Sequence, residues 1–255
     1  MTPTPRPADY PGCPVTVTDA LANGAVLRPP RWGLWDVLIG LGGALVVGIG
    51  VGAVLWFMDA PAAVQVLLGT TAPWVILAGW PLLITRLRGN GPRIDLGLRL
   101  TWRDTGWGLV GGLVALILAG LAALASQALF PDLTSAAAEA ATLLQESAGR
   151  GSLIVFALLV MVGAPVVEEL FFRGLAFSAL RKRGVGAVLT IAITAVVFAG
   201  FHLEPLRMLV LLPTGIVLGW VRWRTGSTGA SMVAHGMVNT PGALAFLLDV
   251  PVVSP

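Results

Sequence analysis

"GAPVVEELFFRG", Gly163 to Gly174, sets two adjacent glutamates and an arginine inside an apolar run that extends from Ser152 to Leu180. Such a run exceeds the roughly 20 apolar residues that cross a bilayer as a helix. A charged group at that depth costs about 2.5–3.5 kcal/mol on insertion scales, so charges there are expected to be paired or functional. Spacing separates the three. Glu169 and Arg173 are four apart, share a helix face and can offset each other's burial. Glu168 is rotated by about 100° and lacks that partner. Pro165, three residues before Glu168, removes one helical hydrogen bond and can kink the span.

The rest of the chain fits a membrane setting. Of 255 residues, 56% are hydrophobic and 11% charged, and the mean hydropathy is +0.86. Soluble globular chains carry about a quarter charged residues, which excludes that class. The net charge of +3 then reflects loop Lys and Arg rather than affinity for nucleic acid. A single cysteine, Cys13, excludes a disulfide framework and a multi-cysteine metal site.

Working outward from the quoted stretch, the expected fold class is all-α, a polytopic transmembrane helical bundle. Seven spans are expected: Leu34 to Phe57, Ala62 to Thr85, Trp107 to Phe130, Ser152 to Leu180, Gly186 to His202, Met208 to Val221 and Thr228 to Leu248. A break at Pro241 in the last would make eight elements. The Pro-, Thr- and Ala-rich N-terminal stretch reads as a disordered tail, with no short apolar core after a basic start to suggest a cleaved signal peptide.

Loop charges orient the bundle. Arg6, Arg28 and Arg31 precede the first span. Arg86, Arg88, Arg93, Arg99 and Arg103 fill the second connection. Arg181, Lys182 and Arg183 lie in the fourth, and Arg222 and Arg224 in the sixth. The intervening connections hold Asp59, then Asp132, Glu139, Glu146 and Arg150, then Glu204 and Arg207. Basic residues in alternate connections imply a multi-pass cell-membrane protein with a cytoplasmic N-terminus. Two connections are long. Arg88 to Asp104 holds a turn cluster and an alternating "DLGLRLTWRD", expected as an interfacial element. Pro131 to Arg150 is Ala-rich, expected as an outer amphipathic helix or an extension of the next span. No fixed-period repeat suggests transporter-style symmetry. Tryptophans such as Trp74, Trp102, Trp107, Trp220 and Trp223 read as interfacial anchors.

Ionisable groups within spans form a short list: Glu168, Glu169, Arg173, His202 and His235, with the amide of Asn239 beside the last. Counted from the inferred cytoplasmic ends at 1.5 Å per residue, Glu168 and Asn239 lie about 20 Å deep, His202 about 24 Å and His235 about 13 Å. A carboxylate beside an imidazole can hold and deprotonate a water for attack on a peptide carbonyl. An Asn amide and a second His N–H can donate to the resulting oxyanion, a contribution of about 3–4 kcal/mol. From the residues alone three classes stay open: a protease, a non-catalytic membrane immunity or binding protein, and a proton-coupled transporter using Glu and His as a relay.

"EELFFR" (Glu168 to Arg173), "FAGFH" (Phe198 to His202) and "HGMVN" (His235 to Asn239) resemble the EExxxR, FxxxH and HxxxN motifs of the CPBP/ABI intramembrane endopeptidases. That family includes prenyl-protein CAAX endopeptidases of the Ras-converting type and bacterial proteins linked to bacteriocin processing and self-immunity. The resemblance covers Ser152 to Asn239. It implies that Glu168 and His202 activate water and that His235 and Asn239 form the oxyanion site. Glu169 and Arg173 would form a supporting ion pair, with Phe198 at a further motif position. It implies a peptide or protein substrate at the membrane, no nucleic acid, and no metal. Zinc stays open, because two His and a Glu could ligate it with one open position, although EExxxR is not HExxH. The expected organisation is a disordered cytoplasmic tail (1–33), three N-terminal spans with long loops (34–150) and a catalytic membrane core (151–250).

Overall fold

The computed structural model describes residues 14–131 and 134–248, which hold ten helices and no strand. They form an all-α membrane helical bundle. In chain order these are α1 (Pro14–Ala22), α2 (Leu34–Phe57), α3 (Ala62–Arg88), α4 (Pro92–Asp95) and α5 (Trp102–Leu129). They continue with α6 (Ala136–Ser147), α7 (Gly149–Lys182), α8 (Ala187–Phe201), α9 (Met208–Thr225) and α10 (Thr228–Leu248). Helices occupy all seven expected positions. Four of them, α2, α3, α5 and α7, are long and apolar enough to cross a membrane, and α8 is a shorter apolar helix.

Apolar side chains face both ways, as a lipid setting requires. Leu38, Ile39, Val46, Ile49 and Val54 stand exposed along α2, a surface too extensive for water but suited to acyl chains. Inside, where lipid gives no hydrophobic drive, close backbone approach takes over. A Cβ on Gly108 of α5 would lie 2.7 Å from Ala230 O, and one on Gly111 2.2 Å from Val221 Cγ2. Only glycine admits α9 and α10 at that distance. Ala115, Ala119 and Ala123 continue the same buried stripe. The main core lies across α2, α3, α7 and α8, around Phe171, Phe172, Leu77 and Phe198.

The basic connections gather at one end of the bundle. Lys182 Nζ donates to Pro30 O and Trp32 O, and Arg31 N–H donates to Arg88 O at 2.7 Å. Ser227 Oγ donates to Arg99 O at 2.6 Å, and Arg88 pairs with Asp36.

Several expectations change. Part of the tail, Pro14–Ala22, is helical, and Val17 and Leu27 pack near Ile94; residues 1–13, with Arg6 and Cys13, lie outside the described residues. The Arg88 to Asp104 connection is partly folded into the bundle, while its Leu100 and Trp102 stay exposed. Asp95 and Leu96 are fully buried in it, because Trp32 Nε1 and Asn90 N–H each donate to Asp95 Oδ2 at 2.8 Å. Of the two alternatives for the next long connection the structure takes the first: Ala136–Ser147 is a separate helix, capped by Ser135 and divided from α7 at Gly149, whose φ of 74° suits glycine; Asp132 lies outside the described residues. As the seven-span expectation had it, α10 runs from Thr228 through Pro241 without breaking.

Candidate active site

The charged stretch of α7 is not regular α-helix. It opens into two wide π-helical turns, Leu159–Gly163 and Leu170–Ala176, on either side of Pro165 and Glu168. Ala164 N–H reaches back five residues to Leu159 O, and Phe177 N–H does the same to Phe172 O. Returning to four-residue spacing after such a turn skips the next carbonyl, leaving an orphan acceptor. Those carbonyls belong to Val160 and Arg173. Each is met by a side chain from another helix: Asn239 Nδ2 donates to Val160 O, and Arg222 Nε to Arg173 O, both at 2.9 Å. The wide turns thus fasten the motif segment to α9 and α10.

Glu169 and Arg173 form the expected pair, fully buried, with Nη1 donating to Oε1 at 2.8 Å. Arg173 Nη2 also donates to Gly215 O at 2.9 Å, and its guanidinium lies 4.6 Å from the Phe198 ring centroid. The sequence reading missed the third member. His235 Nδ1 lies 3.0 Å from the same Glu169 oxygen. A carboxylate only accepts, so Nδ1 carries the proton and, in the neutral ring, Nε2 keeps its lone pair. Nothing in the local pattern could have revealed this contact, since the two residues are 66 apart in sequence.

Glu168 turns away from that pair, as its rotation predicted. Its Oε2 is buried, takes no hydrogen bond among the described residues, and lies 3.9 Å from His235 Nε2. That distance is too long for a hydrogen bond, so a molecule that bonds to both would have to bridge them from the side. Glu168 and His202, expected to activate a shared water, make no direct hydrogen bond to each other among the described residues. His202 instead directs Nδ1 to Phe198 O at 2.8 Å, which fixes Nδ1–H and leaves Nε2 as its acceptor when neutral. Phe198 packs edge-on against both histidine rings, with centroids 4.9 and 5.7 Å away. After His202 the chain turns through Leu203, at φ 58°, a left-handed conformation rare for a side-chain-bearing residue.

A cavity of about 370 Å³ reaches Phe198, His235 and Asn239, with Thr214, Ser135 and Arg207 also in its wall, but neither Glu168 nor His202 lines it. It falls in the size range of small-molecule and peptide sites. Among the described residues, no three His, Cys, Asp or Glu side chains are grouped to hold a metal ion.

Residues 150–241 match the family model described as "Type II CAAX prenyl endopeptidase Rce1-like". No curated protein and no solved structure matches the chain.

Proposed function

We propose, starting from a segment 150–241 that falls in the CPBP/CAAX protease family, that this membrane protein is an intramembrane endopeptidase cleaving a membrane-associated peptide or protein. The observation that carries the reading is Glu168, a half-buried carboxylate whose buried Oε2 has no hydrogen-bond donor among the described residues and lies 3.9 Å from His235, which lines a cavity. Glu169 differs in that its Oε1 is committed to Arg173 and His235, although its Oε2 also lacks a partner among the described residues. Glu168 has no Lys or Arg ion-pair partner among the described residues, and its side chain keeps 15% exposure, which leaves it open to water.

In this reading Glu168 takes a proton from water as the water oxygen attacks the scissile carbonyl. His202 offers its Nε2 lone pair to the same water network, acting through water rather than by direct contact with Glu168. The oxyanion is met by Asn239, whose amide is held by Val160 O, and by His235. With Nδ1–H committed to Glu169, His235 can donate from Nε2 only as imidazolium, and the adjacent Glu169 carboxylate supplies its countercharge. Collapse of the intermediate breaks the C–N bond, and the Glu168 proton passes to the leaving amine. Water activation is assigned to a carboxylate base and needs no metal. Stoichiometric zinc, with activity lost on its removal and regained on its return, would overturn that part.

The multi-pass arrangement with a cytoplasmic N-terminus is supported by the basic connections that meet at one end of the bundle. The test of function compares peptide termini in cells carrying the wild-type protein or Glu168→Ala. Termini that vanish with Glu168→Ala, while the variant still inserts at wild-type level, are the expected result. Unchanged termini, or proton flux in liposomes that depends on Glu168, would favour the binding-protein or transporter readings instead.

A further inference from the structure

His202 stands at the end of α8, just before a turn that its sequence makes costly. The N–H groups of His202 and Leu203 reach back only three residues, to Ala199 O and Gly200 O at 3.3 and 3.1 Å. Pro205 disfavours helical backbone at Glu204, so the helix has to stop. The chain turns at Leu203, whose φ of 58° is left-handed, at a helix end where glycine is the usual residue. A leucine there brings its Cβ against the following carbonyl. Its side chain is 72% exposed, so packing inside the bundle does not hold it. Such a conformation persists only where its surroundings over-determine it.

The next residue supplies that constraint. Glu204 accepts Ala136 N–H, the first amide of α6, at 3.1 Å, one of the donors a helix start leaves unpaired. It also accepts Arg207 Nη1 at 3.1 and 3.3 Å, and Arg207 caps the start of α9. The turn is thereby tied to two helices. On its other side the tightened backbone has a consequence for the imidazole. A continuing helix would give the His202 N–H to Phe198 O, four residues back. Here that N–H goes to Ala199 O, and Phe198 O receives ring Nδ1 instead, at 2.8 Å.

We propose that Glu204 is a positioning residue for His202. Its ties to α6 and α9 hold the left-handed turn at Leu203, which keeps Phe198 O open to the ring. That contact sets the Nδ1–H tautomer and presents Nε2 as an acceptor. The inference rests on the endopeptidase reading for the use of Nε2, and it extends the machinery to a residue outside the three motifs.

The chain holds two histidines, so untagged full-length protein in lipid vesicles, isotope-labelled in the imidazole nitrogens, gives two ring spectra by solid-state NMR. His235→Gln assigns the spectrum of His202. At a pH where the ring is neutral, the wild-type protein should show His202 with its proton on Nδ1 alone. Glu204→Ala should show both tautomers and cleave a randomised N-palmitoylated peptide library, followed by mass spectrometry, about tenfold more slowly. Glu204→Gln keeps an acceptor for Ala136 and should fall between. Leu203→Gly is the deciding variant, because glycine takes the left-handed conformation without steric cost. Added to Glu204→Ala, it should restore the single tautomer and most of the cleavage rate. If Glu204 acted independently of the turn, the two effects would simply add and no rescue would appear. An unchanged His202 spectrum in Glu204→Ala, or no rescue by Leu203→Gly, overturns the inference; the endopeptidase reading stands in that case if the wild-type protein cleaves and His202→Ala does not. A shifted tautomer with rescue, in a protein that cleaves nothing, does the reverse. Should Glu204→Ala fail to insert, Glu204→Gln read with and without Leu203→Gly decides in the same way.

Discussion

Arg173 is the residue on which the buried charge balance turns. It is fully buried, pairs with Glu169, donates to Gly215 O and faces the Phe198 ring. Removing one partner of such a pair leaves an uncompensated charge, a loss of about 3–5 kcal/mol, whereas removing both can be close to neutral. Arg173→Met should therefore lower unfolding stability in detergent by that amount. Glu169→Gln combined with Arg173→Met should recover much of it. If the double variant were no more stable than the single one, the pair would not be the source of the cost. The recovery should not extend to activity, because Glu169 also sets the His235 tautomer. The i,i+4 pair was legible in the sequence because a helix places those two side chains together wherever it sits. The His235 contact was not, since it depends on how α10 meets α7. The same limit explains Glu168 and His202: a shared depth follows from counting residues, but their separation depends on the rotation of α8.

At the scale of elements, the wide turns of α7 decide how the site is held. Each turn releases one carbonyl, and Arg222 and Asn239 each collect one. The sequence shows Pro165 and two polar residues on other helices. It contains no signal for π-helical spacing, whose extra residue is stabilised by tertiary partners. The helices themselves were legible, to within a few residues at most ends, because apolar length is a local property. The separation of Ala136–Ser147 from α7 was one of two readings the sequence left open, and the conformation of Gly149 decides it. Arg222 also donates to Leu96 O and lies 5.4 Å from the Phe177 ring centroid. Lysine keeps the charge but cannot reach two carbonyls with one planar fork. Arg222→Lys is expected to insert and fold, yet to lower kcat by about tenfold with little change in KM, as fits a loss confined to the transition state. A change in KM alone would show that α7 is held correctly without this contact.

For the whole molecule, the end where the basic connections meet acts as a clasp, and Asp95 is its centre. Trp32 and Asn90 bond to it from either side, and a Cβ on Gly89 would fall 1.8 Å from its Oδ2. Through this clasp the start of α2, the end of α3 and the Leu96 loop that meets α9 and α10 share one small polar core. Burial raises the Asp95 carboxyl above its ordinary value of 3.8, against the hydrogen bonds from Trp32 and Asn90 and the Lys182 charge. The raised value in the folded state fixes the sign of the pH dependence. The unfolded chain releases the Asp95 proton first, so this group's contribution to stability is complete below 3.8 and is lost as pH rises through the higher folded value. Unfolding temperature measured across that window should therefore contain a component that falls with rising pH. Asp95→Asn should remove that component while keeping an acceptor for Trp32. If the slope were unchanged in Asp95→Asn, the pH dependence would belong to another group. A lost slope accompanied by unaltered substrate cleavage would further show that the clasp stabilises the bundle without taking part in the chemistry at Glu168.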